Sequence, residues 1–204
     1  MFFPSGQAFS TRSSAYLETR QVQFLIQSGR AVLYPIYRGT FDRWVETRSQ
    51  RDDRDLTIMD VKDFNRCVDY LETRPDIDRA RLGYYGISSG ANIAPIVLAN
   101  DHRIKAAVLL GGGFPTEPDL PEVDQINFVS RVTTPVLMLN GRYDFVEPVE
   151  ASQRPMFDLL ATPAADKRHV IFETGHAVVN IQPMIKEVLD WLDRYLGPVQ
   201  TRAQ

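Results

Sequence analysis

Hydrophobic residues along this chain fall into short continuous runs, separated by longer stretches in which apolar positions recur every three or four residues. Continuous apolar runs of four to eight residues are typical of parallel strands that are covered on both faces. The longer stretches have the spacing of amphipathic helices. The pattern predicts a mostly parallel sheet of about six strands, at 1–3, 31–37, 82–87, 106–110, 135–140 and 169–173.

Helices are predicted between these strands, at 14–28, 57–73, after residue 88, at 152–160 and at 185–196. In the first of them we expect Tyr16, Leu17, Phe24 and Leu25 to be buried. Strands that alternate with helices define the α/β class, with helices on both faces of the sheet. The chain shows no internal repeat and no linker, so we predict a single domain over 1–204 that ends in a polar tail at 197–204.

Composition and net charge limit the classes of partner and the location that we expect. The chain has 204 residues, of which 44% are hydrophobic and 24% charged, and these are ordinary globular values. A net charge of −3 gives no basic footprint for nucleic acid. No apolar stretch approaches the roughly 18 residues of a membrane span. With a single cysteine, Cys67, and no recognisable signal peptide, we expect a cytoplasmic protein without an internal disulfide.

The most informative motif is Gly86-Ile87-Ser88-Ser89-Gly90, between a predicted strand and a predicted helix. Glycines on either side of the serine allow a strand and a helix to pass closely, so that the serine lies on a sharp, strained turn with its hydroxyl exposed. The motif alone is weak, and Ser88 could be an ordinary turn residue. An acid and a histidine later in the chain make it stronger.

Asp144 and His176 each follow a predicted strand, and they come after Ser88 in the order serine, acid, histidine. A serine hydroxyl needs an adjacent base to take its proton, and that base needs a group that fixes its tautomer. We therefore predict a catalytic triad of these three residues. Glu147 is the next candidate for the acid; the other two histidines are expected on the surface (His102) and packed against the sheet (His169).

A site for acyl transfer also needs donors for an oxyanion. The amide of Ser89 is the expected first donor, and Gly6 or Gln7, in the turn after the first strand, is the candidate for the second. Trp44, Phe114 and Phe145 could line a substrate pocket or could simply fill the core. No His-x-His, His-Glu-x-x-His or cysteine pair is present, so we expect no metal site.

These motifs together resemble those of α/β-hydrolases, in particular the branch that contains prolyl-oligopeptidase-like, acetylxylan-esterase-like and dienelactone-hydrolase-like enzymes. The resemblance implies Ser88 as nucleophile, His176 as base and Asp144 as the acid that orients it, with no cofactor. The segments that carry the resemblance are Tyr37-Arg38-Gly39-Thr40, Pro75-Asp76-Ile77-Asp78 with Arg81-Leu82-Gly83, Gly86 to Gly90, Pro135 to Gly141 with Asp144, and Gly175-His176.

The chain departs from that family in two ways. The first strand is short, and the strands that usually precede it in the family are not seen in this sequence. The segment 31–37 therefore becomes an apolar edge strand, which could pair in a homodimer. The segment 114–134 is too short for a large cap, which favours small soluble esters over long-chain lipids. We therefore expect a serine carboxylesterase for short-acyl esters. A prolyl-oligopeptidase-like peptidase and a non-catalytic domain of the same fold are the alternatives.

Overall fold

The computed structural model describes residues 1–17, 19–176 and 181–199. In this part of the chain, five strands form one sheet in sequence order, and every neighbouring pair is parallel. The α/β class and the parallel sheet with helices on both faces are therefore confirmed, with five strands instead of about six. The strands are β1 (Phe2–Phe3), β2 (Gly83–Ile87), β3 (Ala106–Leu110), β4 (Val136–Gly141) and β5 (Lys167–Phe172).

The helices cover the sheet on both sides. Alternate strand residues point to opposite faces, so that Tyr84 and Leu109 pack in one core cluster while Tyr85 and Val108 pack in the other. No described helix is both long and apolar enough to cross a bilayer. The helices are α1 (Gln7–Ser10), α2 (Gln23–Gln27), α3 (Gln50–Thr73), α4 (Ser89–Asn92), α5 (Ala94–Asn100), α6 (Ile126–Val129), α7 (Arg154–Leu159) and α8 (Gln182–Leu196).

The prediction of a strand at 31–37 is wrong. This segment is irregular, although it runs beside β1 and Leu33 O accepts a hydrogen bond from Phe2 N at 3.0 Å. Side chains hold it there: the Tyr37 ring stacks on Phe3 at 4.1 Å, and its hydroxyl donates to Phe2 O at 3.2 Å. A two-residue β1 offers little ladder to extend, and Pro35 has no N–H to donate. The homodimer expected through this segment stays a prediction, but the edge strand on which it was based is absent.

The helix predicted at 14–28 is also different. Tyr16 is 77% exposed, whereas Phe24 and Leu25 are buried as expected and Leu17 is half-buried. The hydroxyl of Ser13 accepts a hydrogen bond from Ala15 N and starts a short 3₁₀ turn over 14–16. A second 3₁₀ turn follows at Thr19–Gln21, and an α-helix begins only at α2. A local side-chain bond to the backbone competes with helix formation in this way.

The helix predicted at 57–73 begins seven residues earlier, at Gln50, where the Ser49 hydroxyl accepts a hydrogen bond from Asp52 N and caps α3. The helix predicted at 152–160 divides into a π-helical turn at Val149–Gln153 and α7, which carries proline in its first turn. These differences move helix ends and leave the arrangement of strands unchanged.

Candidate active site

Ser88 lies between β2 and α4 in a strained backbone conformation, with φ of 52° and ψ of −112°. A non-glycine residue with positive φ costs of order 1–3 kcal/mol and persists only where its surroundings hold it. Here Ser88 N donates to Leu110 O at 2.8 Å, which fixes the turn to the end of β3. A Cβ on Gly86 would lie 2.4 Å from Gly90 O, and one on Gly90 would lie 2.3 Å from Phe3 O. The motif glycines are therefore required by close backbone contacts.

His176 connects the serine to a carboxylate. Its Nε2 atom is 2.8 Å from Ser88 Oγ, and its Nδ1 atom is 2.8 Å from Asp144 Oδ2. An ionised carboxylate can only accept a hydrogen bond, so Nδ1 carries the proton and Nε2 is left to accept from the serine hydroxyl. The structure thus brings the three predicted triad residues into one hydrogen-bonded chain.

Asp144 is held firmly behind the imidazole. Its side chain has no exposed surface, and its Oδ1 atom accepts hydrogen bonds from Val146 N and Glu147 N, both at 2.9 Å. These two bonds occupy one oxygen and turn the other towards His176. The imidazole side chain itself is 25% exposed, so solvent reaches the imidazole but not the carboxyl group.

The loops after β4 and β5 are joined close to this point. Tyr143 N donates to Thr174 O at 2.9 Å, and a Cβ on Gly141 would lie 2.0 Å from Gly175 O. Gly111, after β3, has φ of +63°, and a Cβ there would meet His176 O at 3.1 Å. The glycines at the ends of β3 and β4 therefore leave the space in which the histidine loop sits.

The side chains of the remaining candidates for acid and base take no part in this chain of hydrogen bonds. Glu147 directs its carboxyl at Asn92 and Ser152, and Asp144 is the carboxylate that contacts the imidazole. His102 is exposed. The Nε2 atom of His169 is 3.1 Å from Asn140 Oδ1, and burial lowers the pKa of this histidine to about 4. His102 and His169 thus have the surroundings that the sequence predicted for them.

The predicted oxyanion donors lie on two adjacent segments. Pro4 O accepts a hydrogen bond from Gly90 N at 3.1 Å, and a Cβ on Gly6 would lie 3.0 Å from Ser89 Oγ. The turn after β1 therefore faces the start of α4. Within the described ranges, no acceptor takes a hydrogen bond from the backbone N–H groups of Ser89, Gly6 or Gln7.

The three aromatic residues predicted to line a pocket have different surroundings. Trp44 is half-buried, and the guanidinium of Arg12 lies 3.8 Å from the centre of its ring. Phe114 is half-buried against the core, and Phe145 is 86% exposed beside Asp144. None of the three lines the cavity beside Gln7, so the sequence did not predict which aromatic residues line it.

A cavity of about 440 Å³ is lined in part by the turn that contains Gln7, and Ser88, Asp144 and His176 are not among its lining residues. Its walls come from that turn, from α1 and from the irregular segments before and after α2, and it includes Tyr34 and Phe41. Phe41 has φ of 47° and, with Ser88, is one of two described non-glycine residues with positive φ. No sequence motif marks this cavity, because its residues come from four separate segments. Among the described residues no cluster of His, Cys, Asp and Glu could hold a metal ion.

Comparisons with known proteins agree with this architecture. Residues 16–114, just under half of the chain, match the prolyl oligopeptidase family. A search of curated proteins by sequence found no match. Many solved structures share the fold. An esterase from Pyrococcus furiosus is 17% identical with a TM-score of 0.73, and the alignment covers 96% of this chain and 82% of the other.

Two other similar structures are an esterase and a peptidase. A cold-adapted esterase from an Arctic intertidal metagenomic library is 19% identical with a TM-score of 0.67, and 96% of this chain aligns with 82% of that one. An acylaminoacyl peptidase is 17% identical with a TM-score of 0.58, and 72% of this chain aligns with 29% of that one. The chain spans about 62% of a dienelactone hydrolase from Klebsiella pneumoniae. The chain therefore has the α/β-hydrolase fold, and its resemblance to that superfamily is confirmed.

Proposed function

We propose that this protein is a serine carboxylesterase that hydrolyses small, short-acyl esters. The observation that carries the proposal is the position of His176, whose two ring nitrogens lie 2.8 Å from Ser88 Oγ and from Asp144 Oδ2. A nucleophile, a base within hydrogen-bond reach and a buried carboxylate that orients the base are the parts that acyl transfer requires.

In the proposed reaction Ser88 Oγ attacks the ester carbonyl while His176 Nε2 takes the hydroxyl proton. Asp144 stabilises the imidazolium that forms, and the imidazolium then protonates the departing alcohol. The backbone N–H of Ser89, with that of Gly6 or Gln7, would bind the oxyanion, and one such donor contributes about 3 kcal/mol to transition-state stabilisation. A water activated by His176 hydrolyses the acyl-enzyme. The scheme uses no cofactor.

The preference for small esters is supported by the short segment between β3 and β4 and by a cavity beside the proposed oxyanion turn. Between β3 and β4 the described chain forms one four-residue helix, α6, in place of a large cap. The cavity of about 440 Å³ next to the proposed oxyanion turn falls in the range that small ligands occupy. Two of the similar structures are described as esterases. A cytoplasmic location stays a prediction from the single cysteine.

A peptidase is the second candidate, and it is favoured by the match of residues 16–114 to the prolyl oligopeptidase family and by the similarity to an acylaminoacyl peptidase. The two candidates share the same nucleophile and differ in the leaving group. Amides are harder to cleave than esters because an unprotonated amine is a much poorer leaving group than an alkoxide, so an amidase needs a more exactly placed substrate.

The test is a panel of p-nitrophenyl esters from acetate to octanoate beside Xaa-Pro p-nitroanilides, with Ser88→Ala as the control. We expect turnover of the short esters, a decline with acyl length, and loss of nearly all turnover in Ser88→Ala. Faster cleavage of the anilides than of the esters would support the peptidase. A folded protein that turns over neither class would support a non-catalytic domain.

A further inference from the structure

Glu147 is a buried carboxyl group that the proposed mechanism does not use. It lies three residues after Asp144 and is 3% exposed. Its Oε1 atom accepts a hydrogen bond from Asn92 Nδ2 at 2.8 Å, and its Oε2 atom contacts Ser152 Oγ. Asn92 lies in α4, the helix that follows Ser88. Glu147 therefore joins the loop of the proposed catalytic acid to the helix behind the proposed nucleophile.

The orientation of the Asn92 amide is fixed by a third segment. Gly113 N donates to Asn92 Oδ1 at 3.1 Å. A backbone N–H can only donate, so the oxygen of this amide faces Gly113 and its NH₂ group faces Glu147. One oxygen of the Glu147 carboxyl is therefore an acceptor.

The other oxygen has to be a donor. Ser152 Oγ lies 2.7 Å from Phe114 O, and a backbone carbonyl can only accept. The single hydroxyl proton of Ser152 is used in that bond, so the contact between Ser152 Oγ and Glu147 Oε2 needs a proton from Glu147. A carboxylic acid satisfies all of these bonds, whereas a carboxylate would leave two acceptors facing one hydrogen.

The groups around Glu147 favour the same protonation state. Burial raises the pKa of Glu147, and the negative charge of Asp144 raises it further. His176 is the other titratable group that faces it and lowers its pKa, as do the contacts with Ser152 and Asn92, but burial is the largest cause and the pKa is raised overall. Gln153, which is neutral, donates to Glu147 O at 2.6 Å and to Gly141 O at 3.1 Å.

We propose that Glu147 is held as a neutral carboxylic acid and acts as a positioning residue for the triad. Its two hydrogen bonds tie the Asp144 loop to Asn92 in α4 and to Ser152 in the π-helical turn after β4. Both partners are bonded in turn to the segment after β3, and this network sets the spacing between His176 and Ser88. Its neutrality also leaves Asp144 as the carboxylate charge beside the imidazole. The effect on catalysis rests on the proposed function, whereas the protonation state does not.

The direct test of the protonation state is the infrared spectrum of the folded protein at pH 7, as the difference between wild type and Glu147→Gln. We expect the carbonyl band of a protonated carboxylic acid in the wild type and its loss in the variant. A difference spectrum that shows only a carboxylate band would overturn the proposal. This readout needs no turnover, so it separates failure of this proposal from failure of the esterase assignment.

Activity tests the positioning role. Glutamine can donate to Ser152 and accept from Asn92 as the acid does, so Glu147→Gln should keep kcat within about threefold of wild type at pH 7. Glu147→Ala should lose roughly tenfold to a hundredfold in kcat with KM little changed, because small displacements of catalytic groups have effects of this size. The control is Glu150→Gln. Glu150 is an exposed partner of Arg154 in the π-helical turn Val149–Gln153, and its replacement should leave kcat at the wild-type value. Equal losses in the Gln and Ala variants would contradict the proposal.

The pH dependence of stability gives a third readout. The folded state binds the Glu147 proton more tightly than the unfolded chain, so the unfolding free energy of the wild type should fall as pH rises above the ordinary glutamate pKa of 4.5. Glu147→Gln lacks this proton and should gain stability relative to wild type as pH rises. If the difference in unfolding free energy between wild type and Glu147→Gln does not change with pH above 4.5, the pKa of Glu147 is not raised.

Discussion

His176 Nε2 lies 2.8 Å from Ser88 Oγ, although the two residues are 88 positions apart in the sequence. They follow β5 and β2, which are separated in the sheet by β3 and β4. All these strands are parallel, so the loops that follow them meet at one edge of the sheet. Gly111 and Gly141 lack the side chains that would block the histidine loop from reaching back across that edge. The contact is therefore a product of topology and of small residues at strand ends.

Asp144→Asn should remove most activity without unfolding the protein. The asparagine oxygen can still accept from Val146 N and Glu147 N, but its NH₂ group would then face His176 Nδ1. That arrangement puts the imidazole proton on Nε2. A protonated Nε2 atom cannot accept the proton of the serine hydroxyl. We expect kcat/KM for p-nitrophenyl acetate to fall by about 10³- to 10⁴-fold.

Glu173→Gln is the matched control for Asp144→Asn. Glu173 is an exposed carboxylate near His176, and it pairs with Arg142 instead of the imidazole. Its replacement should leave kcat/KM within about twofold. A loss of less than tenfold in Asp144→Asn would show that Asp144 does not set the histidine tautomer.

Ser88→Gly should be more stable than Ser88→Ala. Both variants lose the hydroxyl that bonds to His176, but only glycine adopts a φ of 52° without strain. Relief of backbone strain is of order 1–3 kcal/mol, and the greater entropy of glycine in the unfolded chain offsets part of it. We expect a net gain of about 1 kcal/mol in unfolding free energy, measured with urea. An alanine variant of equal or greater stability would mean that Ser88 is not strained.

His169 should make the protein sensitive to acid. Its pKa in the folded state is lowered to about 4 from the ordinary 6.5, chiefly by burial. The folded state resists protonation at this group, so the stability present at neutral pH is lost as pH falls from about 6.5 towards 4. Between pH 7.5 and pH 5 the wild type should lose about 1 kcal/mol more unfolding free energy than His169→Gln, after allowance for partial exposure.

His102→Gln is the control for this effect, because His102 is exposed. It should lose stability with falling pH to the same extent as the wild type. If His169→Gln and His102→Gln behave alike in urea titrations at both pH values, burial of His169 has no measurable effect on its protonation.

Much of the sheet could be predicted because buried parallel strands leave continuous apolar runs in the sequence. The bounds of β3 match the prediction, and those of β2, β4 and β5 differ from it by no more than two residues at either end. The segment 31–37 has an equally apolar sequence but no strand, because a ladder needs a partner and β1 has two residues. Apolar runs therefore predict burial more reliably than they predict pairing.

The candidate site also has one part that the sequence predicts and another that it does not. Ser88, Asp144 and His176 could be expected to meet because each follows a parallel strand, and order along the chain carries that information. The Glu147 network could not be expected, since Asn92, Gly113 and Ser152 lie on three other segments and no motif links them. The exposure of Phe145 depends on the direction of one loop, which hydrophobicity does not encode.

The most direct measurement of the central claim is covalent labelling with a fluorophosphonate, which reacts with a serine activated by an adjacent base. Intact-mass analysis and peptide mapping should show one adduct per chain, located at Ser88, in the wild type. The adduct should be absent from Ser88→Ala and should form at least a hundredfold more slowly in His176→Ala, since the imidazole supplies the base. A folded wild-type protein that forms no adduct, or an adduct that persists in Ser88→Ala, would contradict the account.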